Sequence, residues 1–236
     1  GNDAALVLAE AISGSTNEFV KLMNEKVKQL GCTNTNFTNP HGYHDENHYS
    51  TAYDMATIFR YCLKNDIFRE IINTNQITIK AANSDNTLNL KNGNRLQDEN
   101  YPKIYYKYVK GGKTGYTIEA RGTLICYGQK NDKTVIVATF DGSQNINGYQ
   151  ARYLDSTKLF DYSFENYKRE LILNSNDYTF KIYDNKNNKC YTAKLDKDIY
   201  GLVNDVPTIQ YNIDIDYNKI DNICNEKKSE NNNENN

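Results

Sequence analysis

Apolar residues in this chain change their spacing once. Through the first 73 residues they recur at steps of three and four, and beyond that point they alternate or gather in short runs. The first pattern makes helices with one apolar face and the second makes strands. The chain is therefore held to a mixed architecture in which a helical block precedes a β-rich one. Residues 3–13 read as a helix stopped by Ser13-Gly14-Ser15, with Asp3 suited to the exposed amides of the first turn. A second helix carries Phe19, Leu22, Met23, Val27 and Leu30 on one stripe and meets Gly31 as a C-terminal cap. After a loop over 32–50, Ala52, Met55, Ala56, Phe59, Cys62 and Leu63 share a third helical face. Thr51 and Asp54 resemble a capping pair at its start, with Asp in place of Glu or Gln. A shorter helix is expected at 66–72.

The β-rich part opens with alternating residues at Gln76–Lys80 and a short strand at 87–90, followed by a long polar loop over 91–103. Residues 104–118 bring a strand toward a Gly-rich turn. The strongest strand signals lie at 124–127 and 134–140, joined by a loop of several residues over 128–132. A helix is expected at 148–163, with Tyr149, Tyr153, Leu159 and Phe160 partly aligned. The expected domains are 1–167, a small β-rich unit at 170–223, and a tail from 224 to 236 without apolar residues to order it.

Composition narrows the functions open to such a chain. The 236 residues carry a net charge of -2, with 38% apolar and 25% charged residues. That balance argues against a basic nucleic-acid module, and no apolar run approaches a membrane span. The chain begins at Gly1 and reads there as cut rather than naturally started. Asn occurs 35 times, spread among periodic apolar segments, so it reads as a compositional bias rich in turns rather than a prion-like tract. The five Cys form no CxxC and no zinc-finger spacing, which favours isolated buried thiols. His41, His44 and His48 lie in a turn-rich loop without the His-Glu-x-x-His spacing, so no metal is expected.

The most informative local feature is Gly111-Gly112-Lys113-Thr114-Gly115, set before the hairpin strands. A Lys beside a Thr on a strand can hold an anion: the ammonium attracts it at long range and the hydroxyl supplies a directed hydrogen bond. The flanking glycines let a ligand approach the backbone. This is not a P-loop, which needs four residues between its first Gly and the Gly-Lys pair.

Several separated pieces then agree in order with one family. They are Gly1-Asn2-Asp3-Ala4-Ala5, FVKLMNEKVKQL at 19–30, Asn39-Pro40-His41-Gly42, HYSTAYDMA at 48–56, GKTGYT at 112–117 and KLFDYSFENY at 158–167. Over residues 1 to about 167 the chain resembles the D-alanyl-D-alanine carboxypeptidases, the low-molecular-mass penicillin-binding proteins. The resemblance implies an α/β (α+β) penicillin-binding and serine β-lactamase-like transpeptidase fold, an antiparallel sheet with a helical subdomain. It implies a serine peptidase that cleaves peptidoglycan pentapeptides ending in D-Ala-D-Ala through an acyl-enzyme, binds β-lactams, needs no cofactor and works outside the cytoplasmic membrane.

That family relies on Ser-x-x-Lys, Ser-x-Asn and Lys-Thr-Gly. The first is not found here: three residues after Ser15 stands Glu18, and Ser156-Thr157-Lys158 is too short. Asn2 matches the end of the second, and Lys113, Thr114 and Gly115 supply the third whole. The resemblance assigns Asn2 to the peptide's acyl side and Lys113 to the proton network and field of the site. Thr114 and Gly115 would receive the terminal carboxylate, and the Tyr116 amide would face the oxyanion. Arg121 departs from the small residues usual after this element and adds a candidate cation for the same carboxylate. Asn2 is expected to lie across a groove from Lys113 and Thr114. A serine β-lactamase and a noncatalytic wall-binding module are the alternatives.

Without Ser-x-x-Lys the chain should form no covalent adduct with a labelled penicillin, measured by mass spectrometry of the intact protein. A stoichiometric adduct would overturn this reading of the missing nucleophile. Apolar sheet edges should also make the chain poorly soluble, and a sharp cooperative melt would speak against that.

Overall fold

A computed structural model describes residues 1–177, 179–184 and 189–204. It divides into two units, one over Gly1–Glu170 with Tyr200–Asn204 and one holding Leu171–Ile199. Tyr200–Asn204 belongs with the first unit rather than with the segment that precedes it. The expected tail at 224–236 and the end of the β-rich unit lie outside the described residues.

The first unit begins with α1 (Asn2–Ser13) and α2 (Thr16–Gln29). Gly14 stops α1 in the left-handed region at φ 79°, and Ser15 caps α2 by accepting from the Glu18 amide at 3.2 Å. Ala9 and Val27 are the buried residues of the pair. Only part of the expected α2 stripe is covered: Leu22 stays exposed, as do Val7, Leu8 and Ile12 on α1.

α3 (Ala52–Cys62) starts at Thr51, whose hydroxyl accepts from the Asp54 amide at 3.1 Å. Only half of a capping box forms. The buried Asp54 carboxylate turns away and accepts from the Asn34 amide (2.9 Å) and the Thr35 hydroxyl (2.8 Å), fastening the preceding loop. α4 (Asp66–Asn73) follows, and β1 (Gln76–Lys80) pairs antiparallel with β2 (Thr87–Lys91).

The segment expected as a polar loop at 91–103 is instead an anchor containing a 3-10 turn at Arg95–Gln97. Asn94 and Leu96 are fully buried. Asn94 Oδ1 accepts from the Leu96 amide at 3.2 Å, and its Nδ2 donates to Gln97 Oε1 at 3.1 Å. Gln97 Nε2 in turn reaches the carbonyls of Ile72 (3.3 Å) and Lys110 (3.1 Å). Polarity pointed to the surface here, but each amide has a buried partner, which removes the cost of burying it.

The main sheet has the order β3-β4-β5, all antiparallel, formed by β3 (Val109–Thr117), β4 (Arg121–Lys130) and β5 (Lys133–Thr139). The Gly-rich stretch lies inside β3, not in a turn after it. A Cβ on Gly112 would come within 2.5 Å of the Ile125 carbonyl oxygen, and one on Gly111 within 2.7 Å of Ile72 Cγ1. These glycines bring β3 close against its neighbours. The β4–β5 hairpin is also tighter than expected: Lys130 pairs with Lys133, leaving Asn131 (φ 56°) and Asp132 as the loop. Asn tolerates that left-handed backbone better than most residues.

Two short strands, β6 (Asn145–Ile146) and β7 (Tyr149–Gln150), precede α5 (Ala151–Asn166). The sheet is covered on both faces. Leu124, Cys126 and Val137 pack with Tyr153, Phe160 and Phe164 of α5. Ile125 and Tyr127 pack on the other face with Phe59 of α3 and Ile72 of α4. Cys32 and Cys126 are buried free thiols and Cys62 is a half-buried one. The remaining strands are β8 (Lys168–Leu173), β9 (Thr179–Asp184), β10 (Lys189–Lys194) and β11 (Ile199–Val203), with β9 and β10 paired antiparallel.

Replacing Asn94→Ala should orphan the Leu96 amide and the Gln97 side chain, lowering stability by about 1–3 kcal/mol in urea unfolding. A change below a few tenths would mean that this network holds nothing.

Candidate active site

The site is built on β3. Lys113 pairs with Ile125 of β4, Thr114 with Leu124 and Gly115 with Thr123. Side chains alternate along a strand. Lys113 therefore shares the face of Ile125, on the side of α3 and α4, and Thr114 shares the face of Leu124, on the side of α5.

The Lys113 ammonium folds back to donate to the Thr114 carbonyl at 2.5 Å. Loss of hydration lowers its pKa below the ordinary lysine range, and the positive charge of Arg152 lowers it further. The Thr114 hydroxyl spends no hydrogen bond among the described residues. It stands beside Gly93, where a Cβ would come within 2.9 Å of Thr114 Oγ1. The Tyr116 ring is largely exposed.

Arg152, near the start of α5, is 8% exposed. Its Nη1 donates to the Gly115 carbonyl (2.8 Å) and the Thr123 carbonyl (3.2 Å), so one guanidinium grips both members of a cross-strand pair. Its Nη2 reaches the Tyr153 hydroxyl at 3.4 Å, which in turn donates to the Gly93 carbonyl at 3.3 Å. Strand, helix and the 93–97 segment are thereby tied together behind the Lys-Thr-Gly run. Arg152 was not singled out from the sequence. The available signal was its spacing: Arg152, Ser156 and Phe160 recur every four residues on α5, and all are buried.

The other expected residues are placed differently. Arg121 opens β4 at φ 54°, and its guanidinium pairs with Asp141 at 3.0 Å, so a carboxylate already answers its charge. Glu119, two residues before it, instead stands 3.7 Å from His44 Nδ1. Asn2 is exposed at the start of α1 and makes no hydrogen bond with Lys113 or Thr114 among the described residues. His48 Nδ1 accepts from the Thr38 amide at 3.1 Å, and burial lowers its pKa. Among the described residues, no three His, Cys, Asp or Glu side chains converge as metal ligands.

β3 thus carries the Lys113 ammonium on one face and an unspent Thr114 hydroxyl on the other, with the buried Arg152 guanidinium behind them, a set that is positive overall. A Lys-Thr-Gly strand at the edge of an antiparallel sheet covered by helices on both faces belongs to the penicillin-binding and D,D-transpeptidase class. Residues 1–144 match the family model described as D-alanyl-D-alanine carboxypeptidase, and the chain belongs to that family. It is 37% identical over 182 residues to the D-alanyl-D-alanine carboxypeptidase DacF of Bacillus subtilis, covering 77% of this chain and 44% of DacF. Among solved structures, it is similar to the D-alanyl-D-alanine carboxypeptidase of Mycobacterium tuberculosis H37Rv. That match has a TM-score of 0.61 at 30% identity and covers 70% of this chain and 60% of the other. Penicillin-binding protein 5 of Haemophilus influenzae gives a TM-score of 0.66 at 29% identity, over 87% of this chain and 56% of that one. The chain thus spans less than half the length of the Bacillus relative.

Lys113 should titrate below 10.5. The unfolded lysine keeps its proton to higher pH, so stability should rise with pH between the lowered value and 10.5. Arg152→Met should move the Lys113 midpoint upward, read by NMR at the lysine Cε. A midpoint that stays put would show that the guanidinium is too well screened to act on it.

Proposed function

We propose that this chain forms the carboxylate-binding half of a serine-type D-Ala-D-Ala carboxypeptidase acting on peptidoglycan stem peptides. The observation that carries the reading is the Lys113-Thr114-Gly115 strand with Arg152 fixed behind it. A terminal carboxylate is the anion that such a set suits best. Thr114 gives it a directed hydrogen bond, Lys113 gives it charge, and Arg152 adds positive potential while keeping the strand's carbonyls turned away from the anion.

In this reading the scissile carbonyl lies next to β3, and the Tyr116 amide stabilises the oxyanion as a tetrahedral centre forms. A serine would attack that carbonyl, form an ester with the acyl portion of the peptide and release D-Ala. Water would then hydrolyse the ester and regenerate the serine. The 236 residues hold no Ser-x-x-Lys, so the nucleophile and its activating lysine are not among them. Lys113 contributes field and hydrogen bonding to that proton network, and its lowered pKa suits a group that shares protons with a neighbour. Asn2 is assigned to the acyl side of the peptide and Arg121 to the outer field of the carboxylate, attenuated by Asp141. β-Lactams would bind at the same strand through their own carboxylate. The substrate is outside the cytoplasmic membrane, and so is the protein in this reading. Among the described residues, no helix is long and apolar enough to cross a membrane.

Titration with N-acetyl-Lys-D-Ala-D-Ala should shift the amide signals of Lys113, Thr114 and Tyr116, while the L,L isomer should not. Thr114→Val should weaken the D,D peptide about tenfold or more, the cost of one hydrogen bond to a charged group. Equal binding of both isomers would defeat the assignment.

A further inference from the structure

Gly93 is exposed, and its φ lies outside the left-handed region, so its own backbone does not call for glycine. The constraint comes from across the site. Among the described residues, a Cβ at 93 would come within 2.9 Å of Thr114 Oγ1 and within 4 Å of no other atom beyond its chain neighbours. The missing side chain is therefore matched to one atom, the hydroxyl that spends no hydrogen bond among the described residues.

Neither side of this contact is free to back away. Asn92 Nδ2 donates to the Ile72 carbonyl at 3.1 Å and to the Thr74 carbonyl at 3.3 Å, and Asn92 Oδ1 accepts from the Asn94 amide at 2.9 Å. The Tyr153 hydroxyl holds the Gly93 carbonyl at 3.3 Å, and Asn94 is fully buried. Across from them, Thr114 is fixed by its pairing with Leu124 of β4. Threonine is branched at Cβ and occupies few χ1 rotamers, so its hydroxyl moves by a jump and not by a slight turn. A methyl group at 93 would be relieved at Thr114, by a rotamer change that carries Oγ1 to another side of Cβ.

We propose that Gly93 is a positioning residue of the carboxylate site: by lacking a Cβ it keeps the Thr114 hydroxyl in the rotamer that meets the incoming carboxylate. The inference rests on the reading that Thr114 gives that carboxylate its directed hydrogen bond. Gly93 acts only through Thr114 and needs no contact with the peptide. The sheet decides where β3 runs, and a segment outside the sheet decides where one side chain on it points.

In the full 236-residue chain, Gly93→Ala should weaken N-acetyl-Lys-D-Ala-D-Ala about tenfold, as Thr114→Val does, since both deprive the carboxylate of the same hydrogen bond. The double variant should bind no more weakly than either single one, because the second change has nothing left to remove. NMR couplings from the Thr114 backbone nitrogen and carbonyl carbon to Cγ2, measured without peptide, should report a new χ1 rotamer in Gly93→Ala. The urea midpoint should hold or rise, because alanine narrows the unfolded ensemble at a φ it can adopt. A lowered midpoint would make Gly93 a folding residue and overturn the proposal. Unchanged couplings would overturn it whatever the affinity does, since weaker binding would then mean that the methyl group obstructs the peptide directly. Additive losses in the double variant would overturn it as well. If the unaltered chain binds no peptide, the carboxylate reading fails, and the couplings alone decide whether Gly93 sets the Thr114 rotamer.

Discussion

The middle of β4, Leu124–Gly128, has water on neither face, and that constraint organises the first unit. Leu124 and Cys126 are sealed under α5, while Ile125 and Tyr127 are sealed under α3 and α4. A slip of one residue would exchange the two sets and drive each into the wrong layer. The register of β3 on β4 is therefore set from within the core. That register puts the Lys113 side chain on one face of the sheet and the Thr114 side chain on the other. Both side chains proposed to serve the carboxylate are thus positioned by core residues of β4.

Polar groups under the surface do the finer positioning. The Arg152 guanidinium joins the Gly115 and Thr123 carbonyls to the first turn of α5, and Tyr153 extends the link to Gly93. Asn94 and Gln97 knit the 93–97 segment to the end of α4 and to Lys110. Such networks contribute modest net stability but leave few alternative packings, since any other arrangement strands a buried donor or acceptor. Loss of hydration depresses the pKa of Lys113 first, and the guanidinium that braces the strand adds to it.

The family gives these features a division of labour. In the proposed reading the Lys-Thr-Gly strand binds the carboxylate and the Arg152 guanidinium braces it from behind. Acyl transfer further needs a nucleophile and a base, and the chain has no Ser-x-x-Lys to provide them.

Much of this was legible in the residues. Apolar spacing located all the longer helices and the central strands, Gly14 and Gly31 marked helix ends, and six ordered sequence pieces, Lys-Thr-Gly within one of them, pointed to the family. These are local signals, written within a few positions of where they act. What the residues alone left open depended on distant neighbours. Arg121 offers a cation near the strand, but only the fold shows that it meets Asp141 and that Arg152, from a helix 37 positions beyond Gly115, grips the strand's carbonyls. The 91–103 segment looked polar and therefore external, yet Asn94 is buried because partners from α4, β3 and its own turn answer every amide around it. Only the folded chain could decide these points, because whether a charge or an amide is free depends on which atoms stand opposite it, and sequence order does not record that.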